Sequence, residues 1–417
     1  MPKNKAARLA AVVLAASLVA TGCTTTVRGT AVPGQGVKPA DQDAQPGMLL
    51  RQQPGSGPPR QFGGVPAYDA CTVLPLDVVA KSGFAFDLSL GERNGVKSAR
   101  LTENADDDPN GRGETSDEGV SQCQYPGLHS LLLTFAIHQA PFDAPESQAD
   151  HEKGLRHEGA KDGEASGFRT LSASHNDPIQ SESTMIFGPG FYATLDLLQT
   201  SSVPYPKLGA ELVRQAAERL HAPPTGPATY SYEGDFAHVR PPCEIFTSAD
   251  FRQALGFGTD GRPVESYGLA RSHTVPDGGS GTSGHVESIE VLTSCKQENQ
   301  SAANSGVGKT PAQGITLEFT NHLTEEMATQ ANDYDCALGK GYRRPFGEPK
   351  AVPFTVGDGL SCLFNMGGSV QSPLAFKSGR TTVQMSVFSV ANLKDDATGI
   401  RVYTTVAQAV AARLAGH

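Results

Sequence analysis

The fold of this chain is decided by two similar stretches, CTVLPLDVVAKSGF at Cys71–Phe84 and CEIFTSADFRQALGF at Cys243–Phe257. Each stretch contains a cysteine, a short helical pattern and a Gly-Phe pair where the helix would stop. Pro75 stands where the first helix can begin, and Thr247 or Ser248 can cap the second. The sequence therefore predicts that one structural unit occurs twice.

Cysteine spacing repeats in the same way. Cys123 follows Cys71 by 52 positions, and Cys295 follows Cys243 by 52 positions. We therefore predict the disulfides Cys71–Cys123 and Cys243–Cys295, and Cys336–Cys362 as an addition to the second copy. Metal thiolates are the weaker alternative because the chain has no C-x-x-C motif.

Strand patterns follow the second cysteine of each copy. LTFAIH at Leu133–His138 and LEFTNH at Leu317–His322 share L-x-F-x-x-H, and the second alternates apolar with polar residues as a half-buried strand does. Polar helical patterns come next in both copies, at Pro145–His157 and Thr324–Ala337.

Two hairpins and two closing helices complete the pattern. The hairpins are predicted at Phe187–Leu195 and Phe376–Gln384, aligned on F-x-x-G, with Gly190 and Gly379 supplying a positive φ. Apolar residues spaced four apart form one stripe on each closing helix: Leu208, Leu212, Ala216 and Leu220 in one, Val402, Val406, Val410 and Leu414 in the other.

These correspondences predict an α+β fold of two homologous domains, each an antiparallel sheet with helices packed on one face. Repeat 1 spans residues 67–224, a linker spans 225–241 and repeat 2 spans 242–417. The alternative is one sheet shared between the halves, in which case a binding site would lie at the shared seam.

The start of the chain predicts export and a lipid anchor. Lys3, Lys5 and Arg8 precede an uncharged apolar run of 12 residues, Leu9–Ala20, which is too short to span a bilayer as a helix. Residues 1–22 are therefore predicted to be a lipoprotein signal peptide, with Cys23 lipidated after cleavage. The alternative is plain secretion with Cys23 as a free thiol. The chain has seven cysteines, so lipidation of Cys23 leaves six for pairing.

Residues 23–66 are predicted to be a disordered tether because they are rich in Pro and Gly and have almost no aliphatic periodicity. Met48-Leu49-Leu50 is the one apolar spot and is expected to dock locally. The net charge of −10 argues against nucleic acid as a partner.

Three local patterns in the sequence are candidate sites. Asp106, Asp108, Asn110 and Asp117 match calcium-loop positions, but without flanking amphipathic helices they are better interpreted as a solvated acidic loop. ANSGVGKT at Ala303–Thr310 matches a relaxed P-loop but follows a polar stretch, so it is interpreted as a flexible insertion. His138 and His322 end the two predicted strands and are interpreted as structural. No catalytic residue and no cofactor is predicted.

One resemblance combines these features. GCTTTVRGTAVP at Gly22–Pro33, a lipobox followed by V-x-G-x-A-V, resembles the mature start of many actinobacterial lipoproteins. The domain pattern resembles the uncharacterised "domain of unknown function 3558" type, in two tandem copies. That resemblance implies an envelope location and a disulfide, without an activity.

The expected function is a non-catalytic module on the outer face of the cytoplasmic membrane, held by the lipid on Cys23. It would bind an envelope protein or a small ligand. The alternatives are an envelope hydrolase with a dispersed active site and a purely structural adapter.

Overall fold

The computed structural model describes residues 49–62, 65–86, 95–100, 120–140, 145–175, 180–199, 208–268, 271–276, 285–299, 313–336, 350–363, 374–388 and 396–416. They all fall in the unit Gln42–His417, while the unit Met1–Asp41 lies outside the described residues. The described helices are α1 (Ala70–Val73), α2 (Leu76–Lys81), α3 (Pro145–His157), α4 (Leu208–Leu220), α5 (Pro242–Ile245), α6 (Ser248–Leu255), α7 (Glu325–Asp335) and α8 (Asp396–Ala415).

The described strands alternate with these helices along the chain. They are β1 (Leu50–Gln53), β2 (Gln61–Phe62), β3 (Val65–Pro66), β4 (Val96–Arg100), β5 (Ser121–Pro126), β6 (Leu131–Gln139), β7 (Lys161–Ala165), β8 (Phe168–His175), β9 (Gln180–Gly188), β10 (Phe191–Gln199), β11 (Thr229–Tyr232), β12 (Val264–Tyr267), β13 (Arg271–Pro276), β14 (His285–Asn299), β15 (Gln313–His322), β16 (Lys350–Ala351), β17 (Cys362–Leu363), β18 (Leu374–Ser378) and β19 (Thr381–Phe388). The chain is therefore α+β, as the sequence predicted.

One large antiparallel sheet contains fifteen of the described strands. Its order is β16-β17-β18-β19-β15-β14-β12-β4-β5-β6-β10-β9-β8-β7, and β13 pairs with β14 outside this path. Strands from residues 67–224 form one side of the sheet and strands from residues 242–417 form the other. The sheet is continuous through the β4–β12 pair, which we call the seam. The prediction of a separate sheet in each half is therefore wrong, and the alternative of one shared sheet is observed.

The strand order is matched on the two sides of the seam. Outward from β4 come β5, β6, β10 and β9, and outward from β12 come β14, β15, β19 and β18. At the seam, Ser98 of β4 pairs with Glu265 of β12. Ser98 also pairs with Cys123, and Glu265 pairs with Cys295, so the strands that carry the second cysteines flank the seam on either side.

Both predicted hairpins form. β9 and β10 turn through Gly190 (φ 80°), and β18 and β19 turn through Gly379 (φ 55°). The F-x-x-G alignment is nevertheless one position out of step. Phe376 lies in the core with α8, whereas Phe187 packs on the opposite face of the sheet. The turn glycine is the second loop residue in one hairpin and the first in the other, which shifts the alternation of side chains by one.

Apolar stripes on α4 and α8 cover one face of the sheet, as predicted. The stripe residues Leu208, Leu212, Ala216, Leu220, Val402, Val406 and Val410 are all buried. α4 packs in a cluster with Leu195 and Ile186, and α8 packs in a second cluster with Met385 and Phe376. Burial of these apolar surfaces is the main stabilising contribution on this face.

The prediction that helices pack on only one face of the sheet is wrong, because α3 and α7 pack on the opposite face. Leu155 of α3 packs against Leu171, Met185 and Tyr192. The residues that precede and follow these three along their strands point to the other face of the sheet, where α4 lies. α7 reaches the same face through the Cys336–Cys362 disulfide beside Ala375. Successive side chains along a strand point to opposite faces of the sheet. Both faces of this sheet carry apolar side chains, so helices cover both faces.

The tether prediction is wrong for its last part. β1 pairs with β11, and Leu50 is completely buried in the core of the first half. The side chain of Gln52 bridges the helices α1 and α2, because its Nε2 donates to the Cys71 carbonyl oxygen and its Oε1 accepts from the Leu76 N–H, both at 2.6 Å. Leu50, the last residue of the apolar spot, thus docks as the start of a strand.

The predicted linker 225–241 is also ordered, because β11 lies within it. In the sequence TYSY, Tyr230 and Tyr232 are buried and the residues between and before them are exposed. This alternation is a strand signal inside a Pro-rich segment. The ribbon of β1 and β11 lies over the α4 face of the large sheet and reaches the seam, where Tyr230 stacks on Tyr267 of β12.

Candidate functional site

A cleft of about 340 Å³ opens over the seam. The walls of the cleft are formed by β11, the segment before it and the starts of α5 and α6. The strands β4 and β12 form its floor. The lining residues are Arg60, Arg100, Pro227, Ala228, Thr229, Tyr230, Pro241, Cys243, Glu244, Thr247, Ser248, Thr259, Pro263, Glu265, Tyr267 and Gln297. We call this the seam cleft. Its volume lies in the range of ordinary small-ligand sites.

Arg100 of β4 forms part of the floor, with its side chain 10% exposed. Its Nε lies 3.6 Å from a carboxylate oxygen of Asp69, and its Nη2 lies 4.0 Å from Glu265. Arg100 also donates to the Ser98 hydroxyl at 2.8 Å and to the Ala228 carbonyl oxygen at 3.2 Å. A buried guanidinium needs such partners, since an uncompensated buried charge is strongly destabilising.

Two opposing effects act on the pKa of Arg100. Burial lowers it, but the carboxylates of Asp69 and Glu265 outweigh burial, and the net pKa is raised above the ordinary value of arginine. Asp69 belongs to the first half of the chain and Glu265 to the second. The Arg100 cation therefore joins the two halves electrostatically at the seam.

Tyr230 and Tyr267 stack with their ring centroids 4.4 Å apart and their planes 24° apart. The Tyr267 hydroxyl donates to Glu265 at 3.1 Å. The Tyr230 hydroxyl is buried, and among the described residues no group makes a hydrogen bond to it. Burial raises the pKa of Tyr230, so the phenol stays protonated and is an available donor. A buried hydroxyl without an acceptor costs about 1–3 kcal/mol.

A capping box at the start of α6 holds the opposite wall. Thr247 accepts from the Asp250 N–H, and Asp250 accepts from the Thr247 N–H at 2.8 Å. Arg413 of α8 donates to both carboxylate oxygens of Asp250, at 2.6 and 2.8 Å. Burial raises the pKa of Asp250, but hydrogen bonds from Arg413 and Thr247 outweigh it and the net pKa is lowered. This network fixes Thr247 and Ser248 at the wall of the cleft.

All three predicted cysteine pairs lie at bonding distance, with Cα–Cα separations of 5.1 Å for Cys71–Cys123, 5.1 Å for Cys243–Cys295 and 5.5 Å for Cys336–Cys362. The second pair ties α5 to β14 and so positions the α5 wall of the seam cleft. Disulfides indicate an oxidising, extracytoplasmic compartment. None of the helices among the described residues is both long and apolar enough to cross a membrane.

Hydrogen-bonding groups and apolar ring surfaces dominate the chemistry of the cleft. Its charged lining side chains are two arginines, Arg60 and Arg100, and two glutamates, Glu244 and Glu265. These opposite charges balance, so the lining favours a neutral polar ligand over an ion. The lining contains no histidine, and its cysteine, Cys243, is in a disulfide. Among the described residues no group of three His, Cys, Asp or Glu side chains could hold a metal ion.

The sites weighed from the sequence are not part of the cleft. Cys23, the acidic positions Asp106, Asp108, Asn110 and Asp117, and the P-loop-like Ala303–Thr310 lie outside the described residues. His138 and His322 are both buried, on β6 and β15, which stand on opposite sides of the seam.

The two histidines have different surroundings. The ring of His138 stacks on Tyr192 with centroids 4.3 Å apart, next to His151. His322 lies 3.6 Å from the Glu290 carboxylate and 3.1 Å from the Thr382 hydroxyl. The structure does not bring them together, and each packs on the α3 and α7 face of the sheet, away from the seam cleft.

Sequence reasoning missed Arg100, Tyr230 and Tyr267. The alternation in TYSY could have indicated the strand that carries Tyr230. Arg100 and Tyr267 carry no local signal, because their role depends on the pairing of two strands far apart in the chain.

A matched pair of variants tests the unpartnered hydroxyl. Tyr232 neighbours Tyr230 on the same strand and is buried too, but its hydroxyl donates to the Gly268 carbonyl oxygen at 2.8 Å. We expect Tyr232→Phe to lower the free energy of unfolding by about 0.5–1.5 kcal/mol through loss of a hydrogen bond. Tyr230→Phe should leave it unchanged or raise it slightly, as measured by urea unfolding of the oxidised chain. Equal losses in the two variants would show that Tyr230 has a partner.

Comparison of the chain with protein-family models, with curated protein sequences and with solved structures found no match.

Proposed function

We propose that this chain is a non-catalytic binding module of the cell envelope, anchored by a lipid on Cys23, and that the seam cleft holds its ligand. The observation that carries the proposal is the cleft where the two halves meet, lined by Tyr230, a residue whose buried hydroxyl has no acceptor among the described residues. A ligand with an acceptor group beside it would remove a desolvation cost that the free protein bears.

The composition of the cleft supports binding without chemistry. Its lining lacks a histidine and a free thiol, and Arg100 is already neutralised by Asp69 and Glu265. Two hydroxyl–carboxylate pairs stand at the cleft, Tyr267 with Glu265 and Thr247 with Asp250. Both carboxylates are also engaged by an arginine, Arg100 or Arg413, so neither is a free base of the kind that covalent catalysis requires. Rigid walls and balanced charge suit recognition of a neutral polar group.

In this proposal the two halves are copies of one domain that share the large sheet. The matched strand order about the seam supports this, and so do the equal 52-residue spacings of Cys71–Cys123 and Cys243–Cys295. The resemblance to the domain of unknown function 3558 type agrees with an envelope lipoprotein built in this way. The cleft then lies where the two copies meet.

Photocrosslinking in the native envelope tests the binding site. Benzoylphenylalanine in place of Glu244, an exposed residue at the cleft, should give an adduct of one defined mass. The matched control is Ser231, which is equally classed as exposed but lies between two inward-pointing tyrosines on the outer face of β11. Adding Tyr230→Phe should weaken the Glu244 adduct. No adduct at Glu244, or the same adduct from both positions, would contradict the cleft as the ligand site.

The lipid anchor has its own test. Cys23→Ala should release the chain into the medium or leave its signal peptide uncleaved, because the acylated thiol is the expected attachment point. Membrane fractionation with mass determination of the N-terminus measures both results. A Cys23→Ala chain that loses residues 1–22 and still sediments with the membrane would place the anchor elsewhere.

A further inference from the structure

The chain itself fills the place in the first half that corresponds to the seam cleft in the second. There, β1 lies along one edge of β11 and against α1 and α2, with Leu50 fully buried. The Gln52 carboxamide is the polar link, since it donates to the Cys71 carbonyl oxygen and accepts from the Leu76 N–H. One strand of the chain therefore acts as a built-in occupant.

The two groups that hold Gln52 have counterparts at the cleft. Cys243 corresponds to Cys71 as the first cysteine of its disulfide, and Ser248 corresponds to Leu76 as the first residue of the helix that follows. Both Cys243 and Ser248 line the seam cleft. The carbonyl and N–H that bracket a carboxamide in the first half thus have equivalents in the wall of the cleft.

The other wall offers a strand edge. The Glu233 N–H donates to the Leu49 carbonyl oxygen, so Leu49 and Glu233 form a hydrogen-bonded pair. Hydrogen-bonded and non-hydrogen-bonded pairs alternate along an antiparallel ladder. Tyr230 and Gln52, three pairs further on, are therefore a non-hydrogen-bonded pair. The N–H and C=O of Tyr230 consequently point away from β1. In the described part of the chain, β11 pairs with β1 alone, and residues 227–230 line the cleft. The hydroxyl of the same residue has no hydrogen-bond partner among the described residues.

We propose that the seam cleft takes an extended peptide segment that carries a primary carboxamide side chain, a glutamine or an asparagine. This inference rests on the proposed binding function and names the ligand class. The segment would lie between the edge of β11 and α6, as a strand added to an exposed edge does. Its carboxamide would donate to the Cys243 carbonyl oxygen and accept from the Ser248 N–H. A carboxamide is neutral, in agreement with the balanced charges of Arg60, Arg100, Glu244 and Glu265.

The chain supplies a probe and a clean variant. The probe is a fluorescently labelled peptide with the sequence of residues 49–54, LLRQQP, and its control has alanine at the positions of both Gln52 and Gln53. Ser248→Pro removes the N–H in question at the first position of α6, where proline is favoured. Thr247 already has the extended backbone that a residue before proline needs, with φ −101° and ψ 163°. Ser248→Ala is the matched control because it keeps the N–H.

Binding is measured by fluorescence anisotropy with the full oxidised chain and its variants, and thermal unfolding verifies that each variant is folded. We expect the glutamine peptide to bind the unaltered chain and Ser248→Ala alike. Binding should weaken roughly tenfold for Ser248→Pro, through the loss of one good hydrogen bond, and by more than that for the alanine peptide, which lacks both hydrogen bonds of the carboxamide. Equal binding by Ser248→Pro and Ser248→Ala would overturn the inference. That result is the one expected if the peptide merely exchanged with β1.

Absence of any peptide binding would also overturn the ligand class. The Glu244 crosslink separates this failure from failure of the proposed function. An adduct that is not a peptide would keep the cleft as a ligand site and reject the carboxamide segment, whereas no adduct would reject both.

Discussion

Four residue pairs between β4 and β12 hold the two halves of this chain in one sheet, from Val96–Tyr267 to Ala99–Val264. Without them, each half would present an unpaired strand edge in the middle of the molecule. The pairing also brings Arg100 close enough to Glu265 to be compensated from both halves. Since a buried guanidinium is tolerated only with its partners, the charge network and the seam depend on each other.

The ribbon of β1 and β11 closes the seam from above. Tyr230 stacks on Tyr267, and the Tyr232 hydroxyl binds the Gly268 carbonyl oxygen, so the ribbon contacts the second half directly. Tyr267 and Val291 of the second half belong to the apolar cluster of the first. A ligand in the cleft would contact both halves and would stabilise their association by an amount that rises with the logarithm of the free ligand concentration above its Kd.

Local signals predicted the longer helices but only six of the nineteen described strands, β6, β9, β10, β15, β18 and β19. The helix Pro145–His157, the apolar stripes on α4 and α8, the two hairpins and the cysteine pairs were all readable, because each depends on spacing within a short segment. The β4–β12 pairing could not be predicted from the sequence, because β12 has only four residues and its partner strand lies in the other half of the chain. β1 was hidden in a Pro-rich segment, where a single buried Leu50 and the bridging Gln52 outweigh an unfavourable composition. The second face of the sheet was missed because Leu171 and Met185 alternate with residues that also point into a core.

Hydrogen exchange in the folded, oxidised chain tests most directly whether the seam holds the molecule together. The measurement follows the backbone amides of the peptides covering Val96–Arg100 and Val264–Tyr267, with the neighbouring β5 and β14 as internal references. Our prediction is that the seam amides exchange as slowly as those of β5 and β14, within roughly tenfold, because all four strands open together. Seam amides that exchange at the rate of an exposed strand edge, while β5 and β14 stay protected, would contradict it.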